Sequence, residues 1–67
     1  MLIQIIKRTG LAVNPADISA IFIYTVNHDP VLEVQMRSGA KYGVRHEPNA
    51  PLGEDVYQVH KQLLEAK

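Results

Sequence analysis

From Val31 to His46 the chain alternates strictly: Leu32, Val34 and Met36 are interleaved with Glu33, Gln35 and Arg37, and Ala40, Tyr42 and Val44 with Lys41, Gly43 and Arg45. A period of two marks strands with one buried face, and here it also fixes how the two strands pair. A two-residue turn at Ser38-Gly39 pairs Arg37 with Ala40 and sets each apolar residue against the wrong face. A three-residue loop, Arg37-Ser38-Gly39 with Gly39 in the left-handed position, instead pairs Met36 with Ala40, Val34 with Tyr42 and Leu32 with Val44. One face of this hairpin is then apolar and the other charged.

The remaining segments follow from the same patterning. Leu2 to Lys7 is a short β-rich run, Arg8-Thr9-Gly10 a turn, and Leu11-Ala12-Val13 the return strand. Asn14-Pro15-Ala16-Asp17 interrupts the chain, because proline fixes its own φ and biases the preceding residue toward extended geometry. Ile18 to Val26 is almost continuously apolar, and its β-branched and aromatic content, with turn signals at both ends, predicts a strand. Its apolar side chains project from both faces, Ile21 and Ile23 opposite Phe22 and Tyr24. Asn27-His28-Asp29-Pro30 reads as the next turn. Gly43, in mid-strand, marks a bulge or bend that curls the sheet or a close approach of another backbone, the first being the commoner and the expected one.

Two prolines within Glu47-Pro48-Asn49-Ala50-Pro51 remove ladder donors, so this stretch is a linker. From Glu54 to Ala66, Leu52, Val56, Val59 and Leu63 recur at helical spacing with Tyr57, His60 and Leu64 beside them. Glu54 and Asp55 at the start and Lys67 at the end complement the helix dipole. The predicted fold is α+β: a curved antiparallel sheet of about five short strands followed by one C-terminal amphipathic helix, in a single domain over residues 1–67.

At 67 residues the chain sits near the lower limit for independent folding, where a domain buries only about 60% of its unfolded surface. Small domains draw on disulfides, metals or a partner subunit, and the absence of cysteine removes the first and any thiolate metal site. One helix covers one face of a sheet. Either the sheet curls into a small barrel around the helix, or its second apolar face meets another subunit. The second is favoured, and it places Ile21 and Ile23 at an oligomer interface.

Seven basic and seven acidic residues balance, so no overall field draws the chain to nucleic acid or anionic lipid. The apolar start, Met1 to Ile6, lacks a basic leader and a cleavage site and reads as a strand rather than a signal peptide; a cytoplasmic location is the expectation, with no membrane partner. His28, His46 and His60 lie on separate elements without helical zinc spacing, so neither a metal nor another cofactor is expected. No cysteine, no activated-serine context and no phosphate-cradling glycine pattern is present, and the expectation is that the protein is not an enzyme. A local patch remains: Arg37, Lys41 and Arg45 share the charged face of the hairpin and are candidate nucleic-acid contacts, diluted by Glu33 and Gln35.

The opening hairpin with Gly10, the segment Val13-Asn14-Pro15-Ala16-Asp17-Ile18, the return strand Gly39-Ala40-Lys41-Tyr42-Gly43-Val44 and the amphipathic stretch Val56 to Leu64 together resemble the small FlbD-like flagellar proteins of bacteria. The same features are similar to those of other small bacterial or phage proteins. The chain departs from the flagellar pattern in its longer central hairpin, Ile18 to Met36, and in the extra Pro48-Asn49-Ala50-Pro51-Leu52 linker. The resemblance implies a cytoplasmic, non-catalytic accessory protein and supplies no site residues. The expected function is therefore protein interaction as a homo-oligomer, with nucleic-acid binding through the charged hairpin face as the alternative.

Overall fold

The computed structural model describes residues 1–66, and the expected dipole partner Lys67 lies outside them. The strands are β1 (Ile3–Ile6), β2 (Leu11–Val13), β3 (Ile18–Val26), β4 (Asp29–Met36) and β5 (Lys41–Arg45), followed by helix α1 (Val56–Glu65). The α+β class holds, but the strands do not form one curved sheet. They form two antiparallel sheets, β1-β2 and β3-β4-β5.

The break between the sheets lies at Asn14 to Asp17. Asn14 caps a 3-10 turn over Pro15–Asp17, its side chain accepting the Ala16 N–H at 3.1 Å. The chain is thereby turned out of β2 before β3 begins, and the first hairpin packs against the three-stranded sheet instead of extending it. Ile5 and Val13 from that hairpin, Leu32, Val34 and Val44 from the larger sheet, and Val56, Val59 and Leu63 from α1 form a single buried cluster. The inner face thus has two covers, a hairpin and a helix, where a helix alone was expected.

The β4-β5 register is the predicted one: Val34 faces Tyr42 and Leu32 faces Val44. The Met36 N–H donates to Ala40 O at 2.8 Å, the Gly39 N–H donates to Met36 O at 3.0 Å, and Gly39 has φ +96°. The expected bulge at Gly43 is absent. Gly43 pairs regularly with Glu33, and the register shifts fall between Ile18 and Ala20 and between Gln4 and Ile6.

The turn joining β3 to β4 is tighter than expected. Only Asn27 and His28 are loop residues, with φ +49° and +71°, and Asp29 and Pro30 already belong to β4. Positive φ at both central residues is the type I′ pattern, whose twist suits a two-residue hairpin. Pro30 is tolerated because its carbonyl, accepting the His46 N–H at 3.2 Å, points away from β3, and so does its nitrogen.

The helix begins one turn signal later than the acidic pair suggested. Asp55 is the N-cap, its carboxylate accepting the Tyr57 and Gln58 N–H groups at 3.0 and 3.3 Å. Glu54 is not in the first turn at all: it forms an isolated parallel bridge with His46 and is 92% removed from solvent, with 8% exposure. Val56, Val59 and Leu63 are the buried stripe, whereas Tyr57, Leu64 and the pre-helical Leu52 are exposed.

A β-carbon at position 28 opposes the left-handed backbone there. His28→Gly is expected to raise stability by about 1 kcal/mol, read as a higher urea midpoint at unchanged slope; a lower midpoint contradicts the turn assignment.

Candidate interaction surface

Neighbouring positions in an antiparallel ladder alternate between residues whose N–H and C=O groups bond across to the partner strand and residues whose groups point away from it. In a two-residue hairpin the closing pair, here Val26 and Asp29, is of the first kind. Counting back through the register, Tyr24 with Val31, Phe22 with Glu33 and Ala20 with Gln35 are bonded pairs. Ile21, Ile23 and Thr25 are therefore the residues whose backbone groups face away from β4. The other hairpin gives the same phase. Met36 and Ala40 are bonded across β4-β5, so Leu32 and Val34 direct their backbone groups toward β5, and Val31, Glu33 and Gln35 direct theirs toward β3.

β3 is an edge strand. Along its free side it offers the donors and acceptors of Ile21, Ile23 and Thr25. Its nine residues, Ile-Ser-Ala-Ile-Phe-Ile-Tyr-Thr-Val, include no charge and no proline, the two usual devices that stop an edge from pairing further.

The side chains of β3 divide between two environments. Ile21 and Ile23, the residues expected at a subunit contact because one apolar face would be uncovered, point to the inner face and pack partly buried against the core. That expectation needs correcting as to side chains: the uncovered ones are Phe22, Tyr24 and Val26, at 42%, 38% and 45% exposure. The reason is the position of the helix, since α1 packs against β3 and β4 with Leu63 and Leu64 in the same groove as Ile21. The Phe22 and Tyr24 rings lie 5.9 Å apart, tilted by 44°. A groove lined by Ile18, Ala20, Ile21, Leu63 and Leu64 opens beside the edge, and Leu64 is 55% exposed.

The candidate cations occupy different places. Lys41 and Arg45 pair with Gln35 and Val31, which puts them on the outer face with Phe22 and Tyr24. Glu33 stands between them, its carboxylate accepting a hydrogen bond from the Gln35 amide at 2.6 Å. Arg37 is separate, in the turn after β4, its N–H bonded to Asp17 O at 2.7 Å.

Two groups with catalytic potential, Glu54 and His46, hold the chain. The Glu54 carboxylate accepts the Lys7 N–H at 2.7 Å and so ties the helix entry to the first hairpin. His46 Nδ1 accepts the Val56 N–H at 3.2 Å, with its ring edge-on to Tyr57 at 5.3 Å. Its Nδ1 lies 3.8 Å from Asp55 Oδ1. His28 sits at the β3-β4 turn and His60 on α1. Among the described residues no group of three or more histidines and carboxylates is placed to hold a metal ion, and no helix is long and apolar enough to cross a membrane. A cleft of about 180 Å³ beside β5 is lined by Ile6, Arg8, Arg45, Leu52 and Glu54 among others.

No family model matches the chain, and neither a curated protein nor a solved structure matches it.

The outward backbone of Ile21, Ile23 and Thr25 was missed in the sequence because it depends on the strand order and on the length of the 27–28 turn. The apolar, uncharged run was the signal available, and it identified the strand without saying which side was free.

Removing the buried Glu54 acceptor leaves the Lys7 N–H without its partner. Glu54→Ala is expected to cost about 1.5–3 kcal/mol in denaturant unfolding, and Glu54→Gln, which keeps a carbonyl acceptor, less; equal losses in the two variants contradict this role for the acceptor.

Proposed function

We propose that this chain is a small non-catalytic interaction domain that acts as a homo-oligomer, docking through β3. What supports the reading is an edge strand bare along both its backbone side and its outer face, with nothing charged in nine residues. Unsatisfied donors and acceptors in a row are a template for another strand, and a row of exposed apolar side chains beside them favours burial on contact. The small size of the chain points the same way, since a second copy adds core to a domain that has little. The FlbD-like resemblance fits a cytoplasmic accessory protein built for contact.

Sedimentation equilibrium over a wide concentration range tests this. The mass is expected to rise from 7.5 kDa toward twice that value; a single-copy mass in the most concentrated sample overturns the reading. Ile23→Lys is expected to restore the single copy. Because Ile23 also packs on the core, Tyr24→Lys serves as a second variant, its side chain lying on the outer face, with circular dichroism to confirm folding in both.

A second reading draws on a specific feature of the outer face, where Lys41 and Arg45 on β5 share the face, across β4, with the exposed rings of Phe22 and Tyr24 on β3. Cations that track phosphates beside aromatic platforms are how single strands are bound without sequence preference. Glu33 at the centre of the face opposes it, and so this reading stands second. It predicts binding to single-stranded DNA or RNA that weakens with salt and is lost in Lys41→Glu/Arg45→Glu; absence of binding at low salt removes it.

A further inference from the structure

From the edge geometry we infer that the occupant of the β3 edge is a second copy of β3, running antiparallel about a two-fold axis at Ile23, so that the two three-stranded sheets join into one six-stranded sheet. This deepens the homo-oligomer reading and rests on it.

The register follows from which residues have free backbone groups. Only Ile21, Ile23 and Thr25 on the regular part of the strand face outward, at alternate positions centred on Ile23. An antiparallel two-fold pairing matches all three on both copies in one arrangement: Ile23 opposite the second copy's Ile23, and Ile21 opposite the second copy's Thr25, each pair exchanging both of its N–H···O bonds. A shift by two residues in either direction fails. Toward the N-terminus it sets Thr25 against Ser19, at the register break between Ile18 and Ala20. Toward the C-terminus it sets Ile21 against Asn27, in the turn.

The same arrangement is self-complementary on both faces. Phe22 falls opposite the second copy's Tyr24 at a non-bonded position, where side chains approach most closely. Four rings that are exposed singly then make one cluster across the axis. On the inner side Ile23 meets its own copy, and the grooves beside Leu64 come to lie next to the joint. Because β3 carries no charge, bringing two copies together sets no like charges in direct opposition along the joint.

The opposite edge of the sheet is a poorer template. The outward residues of β5 are Lys41, Gly43 and Arg45, two of them cationic, so that two copies of β5 repel. One edge is left for self-pairing.

Amide hydrogen exchange by NMR, run at concentrations on either side of the association midpoint, tests the inference together with a disulfide trap. Phe22 and Tyr24 amides, already bonded to β4, are expected to be protected at every concentration, whereas those of Ile21, Ile23 and Thr25 gain protection by about tenfold or more only in the associated form. The chain has no cysteine, so engineered thiols are the sole ones present. Phe22→Cys mixed with Tyr24→Cys is expected to cross-link, its α-carbons about 4.5 Å apart, while either variant alone places its thiols on a diagonal about 7–8 Å apart and cross-links far more slowly. Association in which the Ile21, Ile23 and Thr25 amides stay unprotected, or in which the single variants cross-link as fast as the mixture, overturns the two-fold register and leaves the homo-oligomer reading standing. No association at any concentration removes both.

Discussion

The fold depends on β4 as a strand that is bonded on both sides and buried on one face. Leu32 and Val34 on β4, with Val44 beside them on β5, are almost completely shielded from water, at roughly 1.5–3 kcal/mol each. Among the described residues β4 is the one strand hydrogen-bonded to two neighbours, and α1 packs against it and against β3. In a chain this short there is little other core to rely on. The first hairpin and the helix are therefore best understood as two covers competing for a single apolar surface, each contributing a few side chains: Ile5 and Val13 from one, Val56, Val59 and Leu63 from the other.

Three local devices hold those covers in place. The 3-10 turn after Asn14 directs the chain from the hairpin into β3. The bond from Lys7 N–H to the Glu54 carboxylate joins residues 47 positions apart, linking the hairpin to the entry of the helix. At that entry Asp55 caps the helix while His46 takes the Val56 N–H. The loop between them has no slack at Gly53, where an added β-carbon would collide with the Glu47 carbonyl. Polar residues near the helix start thus serve the fold: Glu54, Asp55 and His46 each accept a backbone N–H.

The parts of this architecture legible in the sequence are those governed by local periodicity. Alternation over Leu32 to Val44, with one glycine in the left-handed region, determines the β4-β5 register without outside information, because a slip by one residue reverses every side chain. The helix from Val56 is legible for the same reason at a different period. What was not legible required knowledge of partners distant in the chain. Nothing in Leu11-Ala12-Val13 states whether it continues the larger sheet or lies across it, since both leave Val13 buried. Glu54 and Asp55 look alike as first-turn acids, but only one caps, because the other is drawn into a bridge with His46. At Ile18 to Val26, apolar side chains on both faces indicated a surface in need of cover, yet they pointed to Ile21 and Ile23 as the uncovered pair. The core packed against them, with α1 beside β3, leaves Phe22 and Tyr24 outside instead.

The asymmetry between the two edges of the larger sheet connects this packing to the proposed association. An edge that must stay single is protected by charge, by proline or by an irregularity. β5 carries Lys41 and Arg45, and the segment through Glu47 to Glu54 lies beside it. β3 is almost twice as long as β5, nine residues against five, and over its regular part it has none of these protections. Its one irregularity, between Ile18 and Ala20, lies at the end farthest from the turn and leaves the central stretch straight. A monomer that exposed such a strand would be prone to open-ended aggregation if both edges were alike. With only one edge of the larger sheet open, the proposed pairing would close after a single step, because joining two β3 strands uses up that edge on each. On the proposed pairing, the distribution of charge between β3 and β5 would limit association through the larger sheet to a closed pair, a consequence of the strand order.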